Sequence, residues 1–146
     1  MSDPAMNDYH IVLSSASAAG LADTVQIPGS VTIVPWIDAL EILEVSSAII
    51  THGGLGLIKE SIFHGVPMIV LPDKYDQPMN AERVVYHQLG VSDDLITVTT
   101  DALKAHVLKV TTDVTVKENV LKMKAVFRQK DESQEGAILI ENIFLN

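Results

Sequence analysis

The stretch of sequence that decides the fold is Ile49-Ile50-Thr51-His52-Gly53-Gly54-Leu55-Gly56. An apolar run ends at Thr51, a glycine-rich segment follows, and helical spacing begins at Leu55, an order typical of a strand, a tight loop and a helix. The first turn of such a helix presents unpaired N–H groups and the positive end of the helix dipole. Diphosphate binds well there, and glycines let the backbone approach its oxygens. The same glycines also suit a tight turn without a ligand, because short glycine motifs are common.

Outward from this turn, the chain contains several short apolar runs that predict strands. They are continuous rather than alternating, which is typical of a parallel sheet covered on both faces. Segments with helical spacing lie between them. The sequence therefore predicts an α/β fold, a Rossmann-like parallel sheet of about five strands flanked by helices. The runs are His10 to Ser14, Val31 to Pro35, Ser47 to Thr51, Pro67 to Leu71 and Leu95 to Thr99.

Helix boundaries are marked by glycine, proline and aspartate. Gly65 is the expected C-cap of the helix that starts at Leu55, and Pro78 fits the first turn of the next helix, which is expected to stop near Gly90. Asp101 is the expected N-cap of a helical C-terminal third. Within that third, Leu103, Val107 and Val110 share one helix face, Val116, Val120, Met123 and Phe127 share another, and a last helix follows Ser133.

Composition limits the class of protein. At 146 residues we expect a single domain over residues 1–146, with residues 1–8 flexible or tag-derived. The chain has no cysteine and no apolar run of membrane-spanning length, so we expect a cytoplasmic protein without a membrane span. The formal net charge of -9 argues against non-specific binding to nucleic acid, whose phosphates attract lysine and arginine.

A longer block of residues carries a resemblance to a known family. Its spacing from His52 to Gln77 resembles, without a gap, the nucleotide-sugar signature of UDP-dependent glycosyltransferases with the GT-B fold, and a weaker likeness covers nearly the whole chain. The resemblance implies the C-terminal, donor-binding domain of such an enzyme, with the N-terminal half absent. The block comprises Trp36, His52-Gly53-Gly54-Leu55-Gly56, Glu60, Gly65-Val66-Pro67 and Asp76-Gln77.

The resemblance assigns a role to each residue of this block. It implies that His52 contacts the diphosphate with Gly53, Gly54 and Gly56, and that Glu60 accepts hydrogen bonds from both ribose hydroxyls, which favours UDP over dTDP. Further roles follow in the same way: Trp36 would stack on the uracil, and Asp76 and Gln77 would bind hydroxyls of the donor sugar.

Each of these residues also has an interpretation without a ligand. His52 is then a partly buried polar residue, and Glu60 is a solvated surface glutamate. Trp36 is a core or edge aromatic, and Asp76 and Gln77 cap a helix. A dinucleotide-binding dehydrogenase is a rival of the same architecture. Lys59, however, stands where its third glycine is needed, and the motif does not open the first strand–helix turn.

The chain departs from the family pattern at two places. Gly56-Leu57 stands where the family has a small hydroxyl residue, often after asparagine, so one hydrogen bond to phosphate is missing. Asp38-Ala39 replaces the Pro-Gln that follows the tryptophan in the family. The remaining histidines lack the spacing of metal ligands, so we expect no metal and no cofactor beyond the UDP-sugar substrate.

The resemblance implies a hexosyltransferase acting on a small-molecule acceptor by direct displacement at the anomeric carbon. In the family, the catalytic base and the acceptor pocket belong to the N-terminal domain, so we expect no catalytic residue in this chain and no activity of the chain alone. The required partners are then a UDP-sugar and an N-terminal domain or subunit. The alternative is a non-catalytic or degenerate donor-binding subunit that acts only with a partner chain.

Counting strands raises a structural problem. A Rossmann-like sheet of this kind has about six strands in the order 3-2-1-4-5-6, and His10 to Ser14 corresponds to the second, so the first strand is missing. An open gap would leave backbone N–H and C=O groups unpaired in the middle of the sheet. We therefore expect His10 to Ser14 to pair directly with Ser47 to Thr51, or a second copy of the chain to fill the edge as a homodimer.

Overall fold

The structure, a computed structural model, describes residues 9–16 and 26–144. The chain divides into two compact units, Met1–Ile42 and Leu43–Asn146. No helix among the described residues is long and apolar enough to cross a membrane. The predicted flexible segment, residues 1–8, lies outside the described residues.

The first unit contains a small parallel sheet. Strand β1 (Ile11–Ser14) pairs with β2 (Val31–Val34), with Ile11 opposite Val31. Helix α1 (Ala39–Val45) crosses the boundary between the two units. It starts directly after Asp38, whose carboxylate accepts a hydrogen bond of 2.8 Å from the Leu40 N–H. The departure from the family pattern at Asp38 therefore has a local role as a helix cap.

The second unit contains a three-stranded parallel sheet of order β3-β4-β5. Its strands are β3 (Ile49–Thr51), β4 (Met68–Val70) and β5 (Gly90–Ser92). Helix α2 (Leu55–His64) connects β3 to β4, and α3 (Gln77–Tyr86) connects β4 to β5. Because both connections are helical crossovers, the three carboxyl ends meet at one edge of the sheet.

Three helices complete the second unit: α4 (Thr100–Thr112), α5 (Val114–Ser133) and α6 (Glu135–Phe144). The predicted helical C-terminal third is thus confirmed. Asp113 separates α4 from α5 and accepts hydrogen bonds from the N–H groups of Thr115 and Val116, so it acts as the N-cap of α5.

Two apolar clusters cover the two faces of the central strand β4. Successive strand residues point to opposite faces, so Met68 and Val70 face one cluster while Ile69 faces the other. The predicted faces of α4 and α5 are confirmed, and they pack on opposite sides of the sheet. The first cluster contains Ile58, Ile62, Ala81, Val84, Leu89, Val116 and Val120, with Met123 and Phe127 against it. The second contains Leu71, Val91 and Val110, with Leu103 and Val107 against it.

The α/β fold with parallel sheets and flanking helices is confirmed, but the strand predictions need two corrections. The five described strands form two sheets rather than one. Leu95 to Thr99 is not a strand, because the Asp94 carboxylate accepts hydrogen bonds from the N–H groups of Ile96 and Thr97 and folds this run into a turn. The fifth strand is instead β5, which starts at Gly90.

The predicted pairing of His10 to Ser14 with Ser47 to Thr51 is also wrong. Within the described ranges, β1 pairs with β2, and β3 pairs only with β4. The prediction paired these two apolar runs because of the number of strands that a sheet of this kind should have. That count does not specify which runs form a ladder, because strand pairing depends on contacts distant in sequence. A second copy of the chain at this edge stays a prediction.

The helix ends agree in part with the sequence signals. Gly65 is the C-cap of α2, as predicted, with a φ of 78° that suits glycine. At this end Lys124 of α5 donates a hydrogen bond of 2.8 Å to the carbonyl oxygen of His64. The N-cap of α4 is Thr99 rather than Asp101, because the Thr99 hydroxyl accepts from the Ala102 N–H. Helix α3 ends at Tyr86, and Gly90 already belongs to β5.

Candidate functional site

The loop after β3 is held in one conformation by Gly53. This residue has a φ of 91°, and a Cβ added to it would lie 2.7 Å from Cγ1 of Val70. Both the left-handed φ and the close contact require glycine here. The Gly53 N–H donates to the Thr51 hydroxyl at 3.2 Å, and its carbonyl oxygen accepts from the Asn80 side chain at 3.0 Å. Since both backbone groups of Gly53 are occupied, its contribution to a site is the shape of the turn.

Helix α2 begins at the tip of this loop. Gly54 is its N-cap, and the first bond of the helix runs from the Ile58 N–H to the Gly54 carbonyl at 3.1 Å. The N–H groups of Leu55 to Leu57 lie in the first turn, before this bond, and have no carbonyl partner within the helix. They point along the helix axis toward the carboxyl edge of the sheet, where an anion would be stabilised. A Cβ added to Gly56 would meet nothing within 4 Å, so this turn is open.

His52 is exposed and its ring lies beside the start of α2. A Cβ added to Gly54 would come within 2.8 Å of the His52 Nε2 atom. Gly54 is therefore the residue that lets the imidazole fold over the helix N-terminus. The predicted neighbours His52 and Gly54 are brought together, with the ring nitrogen next to the N–H groups that would bind an anion.

Glu60 is half-buried in the middle of α2. Within the described part of the chain, its carboxylate has no hydrogen-bond or ion-pair partner. A half-buried carboxylate without a partner retains its capacity to accept hydrogen bonds from two hydroxyls. The structure thus leaves Glu60 available for the predicted role.

The start of α3 carries Asp76 and Gln77. Asp76 occupies the N-cap position, but neither side chain makes a capping hydrogen bond to the first turn of the helix. Gln77 instead holds the preceding loop, because its side-chain oxygen accepts from the N–H groups of Asp73 and Lys74 at 2.9 and 3.0 Å. Asp76 is exposed and accepts a hydrogen bond of 2.8 Å from Asn80. No local sequence pattern indicated this role of Asn80.

Tyr75 directly precedes this pair in a left-handed conformation, with a φ of 59°. A bulky residue in this region is strained, and such strain is common where a loop is fixed for a function. The ring is 84% exposed and has the Lys74 ammonium 5.6 Å from its centre.

Trp36 belongs to the first unit and lies just after β2. Its side chain is 74% exposed, so in the described chain it is not the buried aromatic of the interpretation without a ligand.

A histidine–carboxylate pair that the sequence did not reveal lies after β5. Asp93 and His106 of α4 are joined at 2.8 Å between Oδ2 and Nε2, and the Asp94 N–H donates to the second Asp93 oxygen at 2.8 Å. The His106 hydrogen bond, and next the Asp94 N–H, lower the pKa of Asp93 from its ordinary value of 3.8. Thirteen residues separate the partners, so no local spacing signals the pair.

The pair should make stability depend on pH. A carboxyl whose pKa is lowered by folding stabilises the folded state above its unfolded pKa, and this contribution is lost as pH falls through the lower folded value. Asp93→Asn is therefore expected to lower the melting temperature at pH 7, with the difference from the unchanged protein disappearing in acid. Thermal unfolding between pH 2 and pH 7 measures this. Glu132→Gln, which removes an exposed carboxylate at the end of α5, is the control. A difference that persists unchanged at pH 2 would contradict the electrostatic origin.

Comparison with known proteins gives one family. The model of the erythromycin biosynthesis protein CIII-like, C-terminal domain matches residues 1–141. The uncharacterized UDP-glucosyltransferase YdhE of Bacillus subtilis (strain 168) is 34% identical over 103 residues, which cover 70% of this chain and 25% of that protein. The oleandomycin glycosyltransferase of Streptomyces antibioticus is 30% identical over 135 residues, covering 91% and 31%.

The same likeness extends to a solved structure. The glycotransferase of kitacinnamycin superposes with a TM-score of 0.85 at 36% identity, covering 92% of this chain and 35% of that one. The chain thus spans between a quarter and about a third of these relatives.

Proposed function

Because the chain belongs to the family of erythromycin biosynthesis protein CIII-like C-terminal domains of glycosyltransferases, we propose that it binds a UDP-sugar at the loop after β3. The observation that carries the proposal is the start of α2, where the N–H groups of the first turn and the exposed His52 ring lie together. This geometry suits a diphosphate, which would meet the positive end of the helix dipole.

The remaining roles are those that the resemblance to the family implies. Glu60 accepts hydrogen bonds from the ribose hydroxyls, and Asp76 with the Gln77 amide binds hydroxyls of the sugar. Gln77 uses its oxygen for the loop, so its NH₂ group remains the donor toward a ligand. By the same resemblance, Trp36 stacks on the uracil. His52, Gly54 and Gly56 surround the diphosphate.

The reaction proposed for the whole enzyme is transfer of a hexose to a small-molecule acceptor. The acceptor oxygen attacks the anomeric carbon, its proton goes to a base, and the bond to the UDP oxygen breaks. This chain would bind the donor and stabilise the charge that develops on the departing diphosphate at the α2 N-terminus. An acceptor-binding domain or subunit would provide the base, because the relatives are about three to four times longer than the aligned region.

The ribose assignment predicts the effect of Glu60→Ala. A hydrogen bond to a charged group contributes about 1.5–3 kcal/mol, so the variant should bind UDP roughly tenfold or more weakly. Calorimetric titration measures the affinity. The 2′-deoxy analogue of UDP gives a sharper comparison: the unchanged chain should bind it more weakly than UDP, whereas Glu60→Ala should bind both equally. Glu82→Ala, at an exposed glutamate of α3, is the matched control. Equal UDP affinity of Glu60→Ala and the unchanged chain would remove the ribose role.

Leu57 is the observation that favours the alternative of a degenerate, weakly binding domain. It occupies the third position of α2, where a hydroxyl would reach a phosphate held by the first turn. Leu57→Ser should therefore tighten UDP binding by about 0.5–1.5 kcal/mol, the net contribution of one hydrogen bond. The same titration measures the gain, with Leu55→Ser, at the exposed first residue of the helix, as the control. No gain would indicate that phosphate does not lie above this turn.

A further inference from the structure

The side-chain amide of Asn80 joins two segments that are far apart in sequence. Its nitrogen donates to the Gly53 carbonyl oxygen at 3.0 Å and to Oδ2 of Asp76 at 2.8 Å. Gly53 lies in the loop after β3, whereas Asp76 is the N-cap residue of α3. Because an amide nitrogen has two hydrogens, these two bonds use its full donor capacity.

The first bond fixes the peptide that leads into α2. The Gly53 N–H is already held by Thr51, and the Asn80 bond holds the carbonyl on the other side of the same residue. A turn with a φ of 91° and both backbone groups bonded has one orientation. The direction in which the first-turn N–H groups of α2 point is therefore set from α3.

The second bond fixes the Asp76 carboxylate. Asp76 is exposed, so its side chain would otherwise sample several rotamers in solvent. Asn80 occupies only Oδ2, and Oδ1 has no hydrogen-bond partner within the described residues. One carboxylate oxygen is thus held in place while the other remains able to accept from a hydroxyl.

We infer that Asn80 is a positioning residue that sets the spacing between the anion-binding turn and the Asp76 carboxylate. This inference rests on the proposed function, in which the turn binds the diphosphate and Asp76 binds the sugar. A ligand that contacts both segments, UDP-glucose, depends on both Asn80 bonds. Of these two segments, UDP contacts only the turn, so its binding depends on one of the two Asn80 bonds.

Two variants test the inference. Asn80→Asp keeps the shape of the side chain but directs a carboxylate toward the Gly53 carbonyl and the Asp76 carboxylate, and Asn80→Ala removes the group. Because both variants lose the hydrogen bond to the charged Asp76 carboxylate, affinity for UDP-glucose should fall about tenfold or more. Affinity for UDP should fall by less. Asn119→Asp is the matched control, because Asn119 makes the same kind of bond to the Gln88 side chain in another part of the unit.

Two further readouts separate positioning from a general loss of stability. Asn80→Ala and Asp76→Ala should be less than additive for UDP-glucose, because the first acts through the second. Amide hydrogen exchange without ligand should become faster in residues 52–58 of both Asn80 variants, and not in Asn119→Asp.

The outcomes distinguish this inference from the function on which it rests. If the unchanged chain binds UDP-glucose and both Asn80 variants bind it within about twofold of that affinity, the positioning role is overturned and the proposed function stands. If the unchanged chain binds neither UDP nor UDP-glucose, the proposed function is overturned and the positioning role with it. A selective loss of UDP-glucose affinity together with faster exchange of the turn supports both.

Discussion

Replacing Gly90 with alanine is expected to unfold the second unit. A Cβ at this first residue of β5 would overlap the carbonyl oxygen of Met68 and lie 2.7 Å from its carbonyl carbon. These are backbone atoms of β4, the fully buried central strand, so neither side can move without breaking the sheet. The expected loss exceeds about 4 kcal/mol, a large part of the roughly 5–15 kcal/mol that stabilises a typical domain.

Urea unfolding followed by circular dichroism measures this loss. Gly136→Ala is the control, because a Cβ at this position in α6 would meet nothing within 4 Å. Alanine in a helix is favoured over glycine by about 0.5–1 kcal/mol, so this variant should be unchanged or slightly more stable. A Gly90→Ala protein that unfolds within about 1 kcal/mol of the unchanged chain would contradict the close approach of β5 to β4.

The second large effect concerns activity: the 146-residue chain, purified alone, is expected to transfer no sugar. Losing general-base assistance costs about 10²- to 10⁴-fold, and losing the positioning of the acceptor costs up to about 7–11 kcal/mol more. A turnover assay with UDP-glucose and a phenolic acceptor measures this, with a full-length relative as the positive control. The donor should still bind in calorimetry under the same conditions.

Measurable transfer by the chain alone would contradict the assignment of the base and the acceptor pocket to another domain. It would direct attention to the Asp93–His106 pair, the histidine–carboxylate pair described at the carboxyl edge of the sheet. Asp93→Asn and His106→Gln would then show whether that pair contributes to the residual rate.

The sequence predicted those features that depend on neighbouring residues. Gly65 could be predicted as a C-cap because its glycine follows a helical spacing directly. The core faces of α4 and α5 followed from the 3.6-residue period of a helix. This period correctly places Val110 on the buried face of α4 and Val120 on the buried face of α5. The glycine loop was predicted for the same reason, because its strand, turn and helix are consecutive.

Other features depend on contacts that local patterns do not contain. Leu95 to Thr99 has the composition of a strand, and the single upstream residue Asp94 turns it into a loop that leaves Ile96 90% exposed. Strand pairing was mispredicted because the ladder partners lie far apart in the chain. The Asn80 bond to Gly53 spans 27 residues and involves a backbone oxygen, so no side-chain motif reports it.

Lys124 of α5 stabilises the C-terminal end of helix α2, so the two should be kept together when segments are exchanged between relatives. Its ammonium bonds the carbonyl of His64 at the negative end of α2, and its Cδ lies within 2.8 Å of where a Gly65 Cβ would stand. The helix whose other end lies at the loop after β3 is therefore held by Lys124 of α5, sixty residues after His64 in the chain. A chimera of two relatives that transplants residues 52–77 alone would separate Lys124 from this helix. Crossover points placed after Ser133, at the end of α5, keep the two together.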